Sequence, residues 1–335
     1  MSTPFAQKAA IAKYVLSKKL AGVEKYALVM ELEPLYQCNL ACAGCGKIQH
    51  PAETLRKRLS VEQCLAAIDE CGAPVISIAG GEPLVYEDLP ELVTELVRRK
   101  KVVIVCTNAL LLEKKIDKFK PSAYFTWMIH LDGMRERHDQ VVCRDGTFDK
   151  AIAAIKVAKA KGFRVGTNTT FFDPDDATAI RGVLDYLNDE IGVDAMQISP
   201  GYAYEKAPDQ EHFLGVDRTR AIFKEAFAGG KRKKWRLNHS PLYLDFLEGK
   251  FDMECTPWGI PSYSILGWQR PCYLMSDAPY AQTYKELIEE TDWSLYGRGK
   301  NPKCANCMAH CGYEPTAVLK TTGSMKESIR AALAH

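Results

Sequence analysis

The 335-residue chain is predicted to be an α/β protein, a partial (β/α)6 barrel followed by a small cysteine-rich C-terminal extension. Between residues 26 and 200, short β-branched runs alternate six times with longer helical patterns across short connections. Such alternation folds as a parallel sheet with helices outside and right-handed crossovers. Six units rather than eight predict an open barrel, with its sites at the C-terminal ends of the strands. Six of the twelve cysteines form two compact groups, Cys38/Cys42/Cys45 after the first predicted strand and Cys304/Cys307/Cys311 near the C-terminus. The expected parts are an N-terminal amphipathic helix (1–25), the barrel (26–200), a linker with one helix (201–254) and a cysteine-rich auxiliary metal domain (255–335).

Residues 5–21 are predicted helical, because alanine and lysine favour a helix. Leu16 and Leu20 are i,i+4 partners with Ile11, Tyr14 and Val15 nearby, and five lysines against Glu24 give residues 1–25 a local charge of +4. Two settings suit this helix: an anionic membrane surface, or the outside of the barrel with its lysines solvated. Ala27–Glu33 is the first predicted strand. Ser60 caps a helix to about Cys71. Strand Pro74–Ala79, helix Asp88–Arg99, strand Val102–Cys106 and helix Glu113–Phe119 follow. Then come strand Tyr124–Leu131, helix Phe148–Lys161, strand Phe163–Thr170, helix Asp175–Asp189 and strand Ala195–Ser199. After Pro200 the alternation stops; one helix, Arg218–Ala228, is expected before the C-terminal cysteines.

Composition narrows the function. Hydrophobic residues make up 47% and charged residues 26%, with 44 Lys+Arg against 42 Asp+Glu. That describes an ordinary globular protein with no broad field for nucleic acid. The short run Lys231-Arg232-Lys233-Lys234 reads as a solvated turn. No apolar run is long enough to span a bilayer and no secretory signal is visible, so a cytoplasmic location is expected. Twelve cysteines in a reducing compartment point to metal ligands, reactive thiols or buried thiols rather than disulfides.

Cys38, Cys42 and Cys45 have the spacing C-x3-C-x2-C. Three thiolates can hold three irons of a [4Fe–4S] cube and leave the fourth iron open to a small molecule. A structural zinc knot or buried free cysteines are the alternatives. Gly80-Gly81-Glu82-Pro83 follows the second strand; two glycines let backbone approach a ligand closely, and Glu82 offers an acceptor for an ammonium. Thr107-Asn108 ends the third strand. Cys106 lies two residues before Asn108, so both point to one side of an extended strand; Cys106 is either a cavity thiol or a small buried hydrophobe. His130-Leu131-Asp132-Gly133 ends the fourth strand, where His130 could equally be a satisfied core histidine. Arg144-Asp145-Gly146-Thr147-Phe148-Asp149 precedes the next helix, and Asn168 is a polar candidate on the fifth strand.

The C-terminal part carries Cys255, an aromatic segment (Trp258, Tyr263, Trp268, Tyr273), Cys272, then Cys304-x2-Cys307-x3-Cys311 with His310 inside. Four ligands suffice for a second metal site, and five cysteines are present. The preferred set is Cys255, Cys272, Cys304 and Cys307, with Cys311 able to replace one. An Fe–S cluster and structural zinc both accept such thiolates, and either would staple a region too small to hold itself by apolar burial. The aromatic segment could line a substrate cavity or form the core of the small domain.

The cysteine loop, the Gly-Gly-Glu-Pro turn and the strand-end residues together resemble the radical S-adenosylmethionine (SAM) enzymes. The resemblance implies that SAM chelates the open iron through its amino and carboxylate groups. An electron from the cluster then cleaves the sulfonium and releases a 5′-deoxyadenosyl radical. It implies SAM contacts for Gly80, Gly81, Glu82, Asn108, His130, Asp132, Arg144 and Asn168, with Asp132 meeting a ribose hydroxyl and Arg144 the methionine carboxylate. Cys255-x11-Gly267-x4-Cys272 followed by C-x2-C resembles the twitch or SPASM extension, which holds an auxiliary Fe–S cluster. This sequence departs from relatives at three points: Ala109 stands for a glycine, His130 for a serine, and Gly44 for the aromatic residue that usually lies against adenine. The last predicts extra room beside the adenosine.

Over nearly the whole chain, Cys38 to Gln49, Ala79 to Leu84 and Gly267 to Leu274 resemble the adenosyl hopene transferase (HpnH) family of hopanoid biosynthesis. That resemblance implies addition of the adenosyl radical to the terminal alkene of diploptene, giving adenosylhopane. It also implies an external electron donor of the flavodoxin or ferredoxin type and a lipid-borne substrate, which favours peripheral contact at the inner membrane face. Addition leaves a tertiary carbon radical that needs a hydrogen atom, and Cys106 is the thiol positioned to give it. The competing expectation is a SPASM-type oxidase of a peptide or small molecule; a more distant one is a zinc-binding interaction protein.

Overall fold

The computed structural model describes residues 4–276 and 278–323; the extreme ends of the first and last predicted segments lie outside them. In chain order the elements are α1 (Phe5–Leu20), β1 (Val29–Glu33), α2 (Ala52–Leu55), α3 (Val61–Cys71), β2 (Val75–Ile78), α4 (Leu89–Arg98), β3 (Val102–Thr107), α5 (Leu112–Lys115), β4 (Phe125–His130) and α6 (Arg135–Val141). They continue with α7 (Thr147–Ala160), β5 (Arg164–Phe171), α8 (Ala177–Asp185), β6 (Ala195–Pro200), α9 (Val216–Ala226), α10 (Pro241–Leu247), β7 (Ser262–Ser264), β8 (Gly267–Trp268), α11 (Tyr284–Glu290) and α12 (His310–Gly323).

The sheet runs in the order β6-β5-β4-β3-β2-β1-β7-β8. Its first six strands are the predicted parallel set, each paired with the next in sequence. It is an open half-barrel. The sheet does not stop at β1, however. β7 adds to β1 in parallel, with Leu32 opposite Tyr263, and β8 pairs antiparallel to β7. The cysteine-rich segment is therefore built onto the barrel's own edge, and that edge is not left open for another chain.

The strands alternate between a helix-covered outer face and an inner face open to the barrel. In β3, Val103 and Val105 are buried while Ile104 and Cys106 are half-buried. The same period of two turns Glu31, Ser77, His130, Asn168, Thr170 and Gln197 to the half-buried inner side. The inner face is thus polar, unlike a parallel sheet covered on both sides.

Local sequence explains several elements. Ser60 and Gln63 form a reciprocal capping box that starts α3, and Gly72 in the left-handed region ends it. The helix expected over 175–189 divides into α8 and a single wide turn, Tyr186–Ile191, closed by left-handed Gly192. The helix expected over 113–119 divides into α5 and a tighter turn, Ile116–Lys118. In the basic run after α9, Arg232 pairs with Asp245 and Glu248 at 2.7 and 2.5 Å.

α1 packs on the outside of the barrel. Gln7 Nε2 donates to Ala123 O at 2.6 Å, and Val15 is buried against Tyr26 and Leu28. Leu16 and Leu20 point away from that contact, 57% and 81% exposed. No described helix is long and apolar enough to cross a membrane. The aromatic segment divides: Trp258, Tyr263 and fully buried Trp268 join the main core, and Trp268 Nε1 donates to Glu70 on α3 at 3.3 Å. Tyr273 alone of the four reaches the barrel mouth.

Candidate active site

A cavity of about 1400 Å3, open to solvent, fills the mouth of the half-barrel at the C-terminal ends of its strands. Cys38, Cys42 and Cys45 line it, as do Gly80, Gly81, Glu82, Cys106, Asn108, His130, Asp132 and Asn168. Arg144 does not. It is exposed, and its Nη1 reaches Asn39 O at 3.4 Å, so it braces the cysteine loop from outside.

The glycines shape the loop. Gly80 has φ +105, and a Cβ there would lie 2.3 Å from Leu35 O; one on Gly81 would lie 2.1 Å from Gln37 O. Only glycine permits this approach. It allows Gly81 N and Glu82 N to donate to Leu35 O and Gln37 O, both at 2.9 Å, which fixes the segment leading into Cys38.

Glu82 is buried. Its Oε1 accepts from Leu84 N at 2.9 Å and Thr107 Oγ1 at 2.5 Å, and its Oε2 from Asn108 N at 2.9 Å. Burial raises its pKa against the pull of these bonds. The carboxylate expected to receive an ammonium is thus already engaged in joining the Gly-Gly loop to the end of β3. Asn108 carries the connection onward: Nδ2 donates to Asn39 Oδ1 at 2.7 Å, and Oδ1 accepts from Leu110 N at 3.1 Å. Ala109 adopts φ +64, which explains why a glycine suits this position.

Across the mouth, His130 Nε2 lies 2.5 Å from Asp132 Oδ2, and Asp132 Oδ1 accepts from Thr170 N at 2.7 Å. Burial alone would lower the His130 pKa, but the Asp132 and Glu82 carboxylates outweigh it and raise the value. Behind the pair, fully buried His138 accepts from Asp132 N at 3.1 Å, and burial followed by repulsion from His130 lowers its pKa to about 4. Asn168 Oδ1 is buried without a hydrogen-bond partner on the cavity wall. Buried acceptors are nearly always satisfied, so this one marks where a ligand donor would fit.

The expected room at Gly44 is not empty. A Cβ on Gly44 would lie 3.2 Å from Phe172 Cε1, so the ring of Phe172, just after β5, occupies that space. Phe172 lines the cavity and packs on Phe213, with ring centroids 5.9 Å apart. The aromatic surface missing from the cysteine loop is supplied from the opposite wall.

Glu31, Ser77, Gln197 and Tyr202 also line the mouth. For the three on strands, the period-two argument applied to Cys106 would have found them. Cys106 itself is half-buried, with Sγ 3.6 Å from Ser77 Oγ, and burial pushes its pKa up to about 12. Glu31 is raised too, first by burial and then by the charge of Glu33, against the opposing effect of Lys47.

The donor set fits a [4Fe–4S] cluster with SAM. Three thiols project from one loop into the mouth, beside glycine backbone and an unsatisfied amide oxygen. Burial raises the thiol pKa values, Cys38 to about 11, so metal binding would displace their protons.

A second cavity, about 1140 Å3 including space open to solvent, lies in the C-terminal part, and Cys255, Cys272, Cys304, Cys307 and Cys311 all line it. Gly312 lets the first of them approach α12: a Cβ there would be 2.4 Å from Cys255 Sγ. The five thiols ring this space, an arrangement that suits an Fe–S cluster. Cys311, Tyr202 and Tyr273 line both cavities. Nearby, His310 is half-buried, and its buried Nδ1 has no hydrogen-bond partner.

Residues 32–187 match the radical SAM superfamily, and residues 196–331 match a domain of unknown function, DUF3463. Over 158 residues the chain is 30% identical to the Fe-coproporphyrin III synthase of Methanosarcina barkeri, covering 46% of this chain and 39% of that protein. Over 163 residues it is 31% identical to GTP 3′,8-cyclase 1 of Mycobacterium tuberculosis, covering 46% and 44%. The chain thus spans less than half the length of these two relatives. Its fold is similar to that of Streptococcus suis SuiB bound to S-adenosylmethionine, with TM-score 0.66 and 18% identity over 94% of this chain and 78% of that one. It is also similar to anSMEcpe with bound AdoMet, with TM-score 0.59 and 18% identity over 92% and 97%.

Proposed function

We propose that this chain, a radical SAM superfamily protein with a DUF3463 C-terminal domain, adds the adenosyl group of SAM to the terminal alkene of diploptene. Cys38, Cys42 and Cys45 would hold a [4Fe–4S] cluster, which with SAM would supply the 5′-deoxyadenosyl radical. The chain's own residues position SAM and the alkene and deliver one hydrogen atom. Asn168 offers its free acceptor to SAM, the His130–Asp132 pair faces the same space, and Phe172 offers a ring for adenine.

Cys106 carries the reading. Its thiol lies on the cavity wall and stays protonated at neutral pH. Addition of C5′ to the alkene CH2 forms one C–C bond and leaves the unpaired electron on the tertiary carbon. Transfer of the Cys106 hydrogen atom completes the product and leaves a thiyl radical. An enzyme that only abstracts hydrogen has no need of such a donor. The diploptene assignment is supported by the sequence resemblance. Membrane access is supported by exposed Leu16, Leu20 and Val23 close to Lys18 and Lys19 at the end of α1. The electron comes from an external flavodoxin- or ferredoxin-type donor.

Anaerobic incubation of reconstituted enzyme with SAM, dithionite and diploptene tests the proposal by mass spectrometry. The expected product is alkene plus adenosyl plus one hydrogen. If 5′-deoxyadenosine and methionine form without any adduct, oxidation of a peptide or small molecule takes precedence, a reading that the cysteine-ringed second cavity also suits.

A further inference from the structure

Hydrogen-atom donation leaves Cys106 as a thiyl radical, and a second turnover needs the thiol restored. The inner face of the sheet holds a route for the proton. Ser77 on β2 is the Cα partner of Glu31 on β1. It is also the Cα partner of Ile104 on β3, two residues before Cys106 and on the same face. Its Oγ lies 3.6 Å from Cys106 Sγ. Neighbouring strands lie about 4.8 Å apart, so Ser77 on the middle strand sits between Glu31 and Cys106 on this face of the sheet.

Glu31 has no structural task that would occupy it. Among the described residues its side chain makes no hydrogen bond or ion pair. The nearby cation is already used, because Lys47 Nζ lies 2.7 Å from Glu33 Oε2 and donates to Gln269 Oε1 at 3.3 Å. The other ionisable groups that influence it are Cys106 on the sheet and Tyr202, Tyr204, Tyr273 and Cys311 from beyond β6. None of these supplies a positive charge. A carboxylic acid that keeps its proton is what this setting favours, and it lies on the wall of a cavity open to water.

We propose that Glu31 returns a proton to Cys106 through the Ser77 hydroxyl after each turnover. The inference rests on Cys106 being the hydrogen-atom donor. One electron from the external carrier reduces the thiyl to a thiolate. The Ser77 O–H proton moves to sulfur, the Glu31 O–H proton moves to Ser77 Oγ across a water of the open mouth, and the Glu31 carboxylate regains a proton from that water pool. The net change is thiyl plus one electron plus one proton giving thiol. Ser77 and Glu31 act through Cys106 and need not touch the substrate.

The test is product counted per enzyme against time with diploptene, using wild type, Glu31→Gln and Ser77→Ala. Wild type should turn over repeatedly. Each variant should form about one adduct per chain at the wild-type rate, because the first hydrogen atom is already on sulfur, and then slow by roughly tenfold or more, a barrier increase of about 1.4 kcal/mol. A second readout needs no cluster: the infrared spectrum of the metal-free chain should lose a protonated-carboxyl band in Glu31→Gln and keep it in Ser77→Ala. Wild-type steady-state rates in both variants, loss of the first-turnover burst, or absence of the band from wild type would each overturn the relay. No adduct from wild type would instead sink the transferase reading beneath it.

Discussion

Cys106 is the one reactive side chain that β3 turns into the cavity, since the other inward residue on that strand near it is Ile104. Replacing the thiol should therefore separate radical formation from product formation. Cys106→Ala is expected to keep cleaving SAM to 5′-deoxyadenosine while adduct yield falls about tenfold or more, a barrier change of about 1.4 kcal/mol or greater. Full adduct yield with unchanged stereochemistry, read by mass spectrometry and chromatography, would remove Cys106 from the mechanism. His138 gives a prediction independent of cofactors. It is buried and neutral, with a folded pKa near 4 against an unfolded value near 6.5. Between those values the unfolded chain binds more protons, so stability is lost as pH falls from about 6.5 towards 4. From pH 7 to pH 5 this one group accounts for a loss of about 2 kcal/mol. His138→Asn, whose amide oxygen can accept from Asp132 N, should lose about that much less, measured by urea unfolding of the metal-free protein. At this scale the strand-end residues were legible because a period of two decides which side chains share a wall. Glu31 and Ser77 escaped notice because they lie earlier on their strands, away from any motif. Phe172 escaped because its partner, Gly44, lies far away in sequence and no local pattern joins them. Arg144 lies off the cavity wall, and a loop residue has no period from which its direction could be read.

Helices and strands with one covered face were readable from their sequences. α3 places Val61, Cys64, Ala67, Ile68 and Cys71 on its buried side, and Ser60 announces its start. α10 was not readable: all seven of its residues are buried, so it has no polar face to set a period. α6 failed in the opposite sense, since Arg-Glu-Arg-His-Asp-Gln offers no apolar stripe. β7 and β8 are three and two residues long, too short for alternation to register. α1 was readable as a helix but not in its orientation, because Val15 and not the Leu16/Leu20 pair meets the barrel. The exposed pair yields a prediction. Burying a leucine side chain in an apolar phase gains about 1.5–3 kcal/mol, and the neighbouring lysines add attraction to anionic lipid. Leu16→Ser combined with Leu20→Ser should lower co-sedimentation with anionic vesicles by about tenfold or more while leaving the unfolding midpoint nearly unchanged, as expected for exposed positions. Equal binding by the double variant would exclude this end of α1 as a membrane face.

The two halves of the molecule are joined at the residue that follows the first cysteine group by two positions. Lys47 Nζ pairs with Glu33 on β1 at 2.7 Å and donates to Gln269 Oε1 at 3.3 Å, under the rings of Tyr273, Tyr36 and Tyr204. Gln269 in turn donates to Tyr273 O and Met275 O at 3.1 and 2.9 Å, on the chain that follows Cys272. A buried charge held in this way is costly to leave alone, so the cysteine loop, β1 and the C-terminal segment are fixed relative to one another. The five C-terminal thiols also differ in where they lie. Cys311 lines the barrel mouth as well as the second cavity, whereas Cys255, Cys272, Cys304 and Cys307 line the second cavity alone. Four ligands complete a cube, and we propose that Cys311 is the one that can be spared. The reconstituted wild-type protein should hold about eight irons per chain, four for each cube. Cys307→Ala should drop towards about four irons, while Cys311→Ala should keep close to eight and retain the spectrum of both clusters. Loss of about four irons in Cys311→Ala would make that thiol a ligand and move one of the other four out of the set. About four irons with one zinc in the wild type would replace the second cluster by a structural ion.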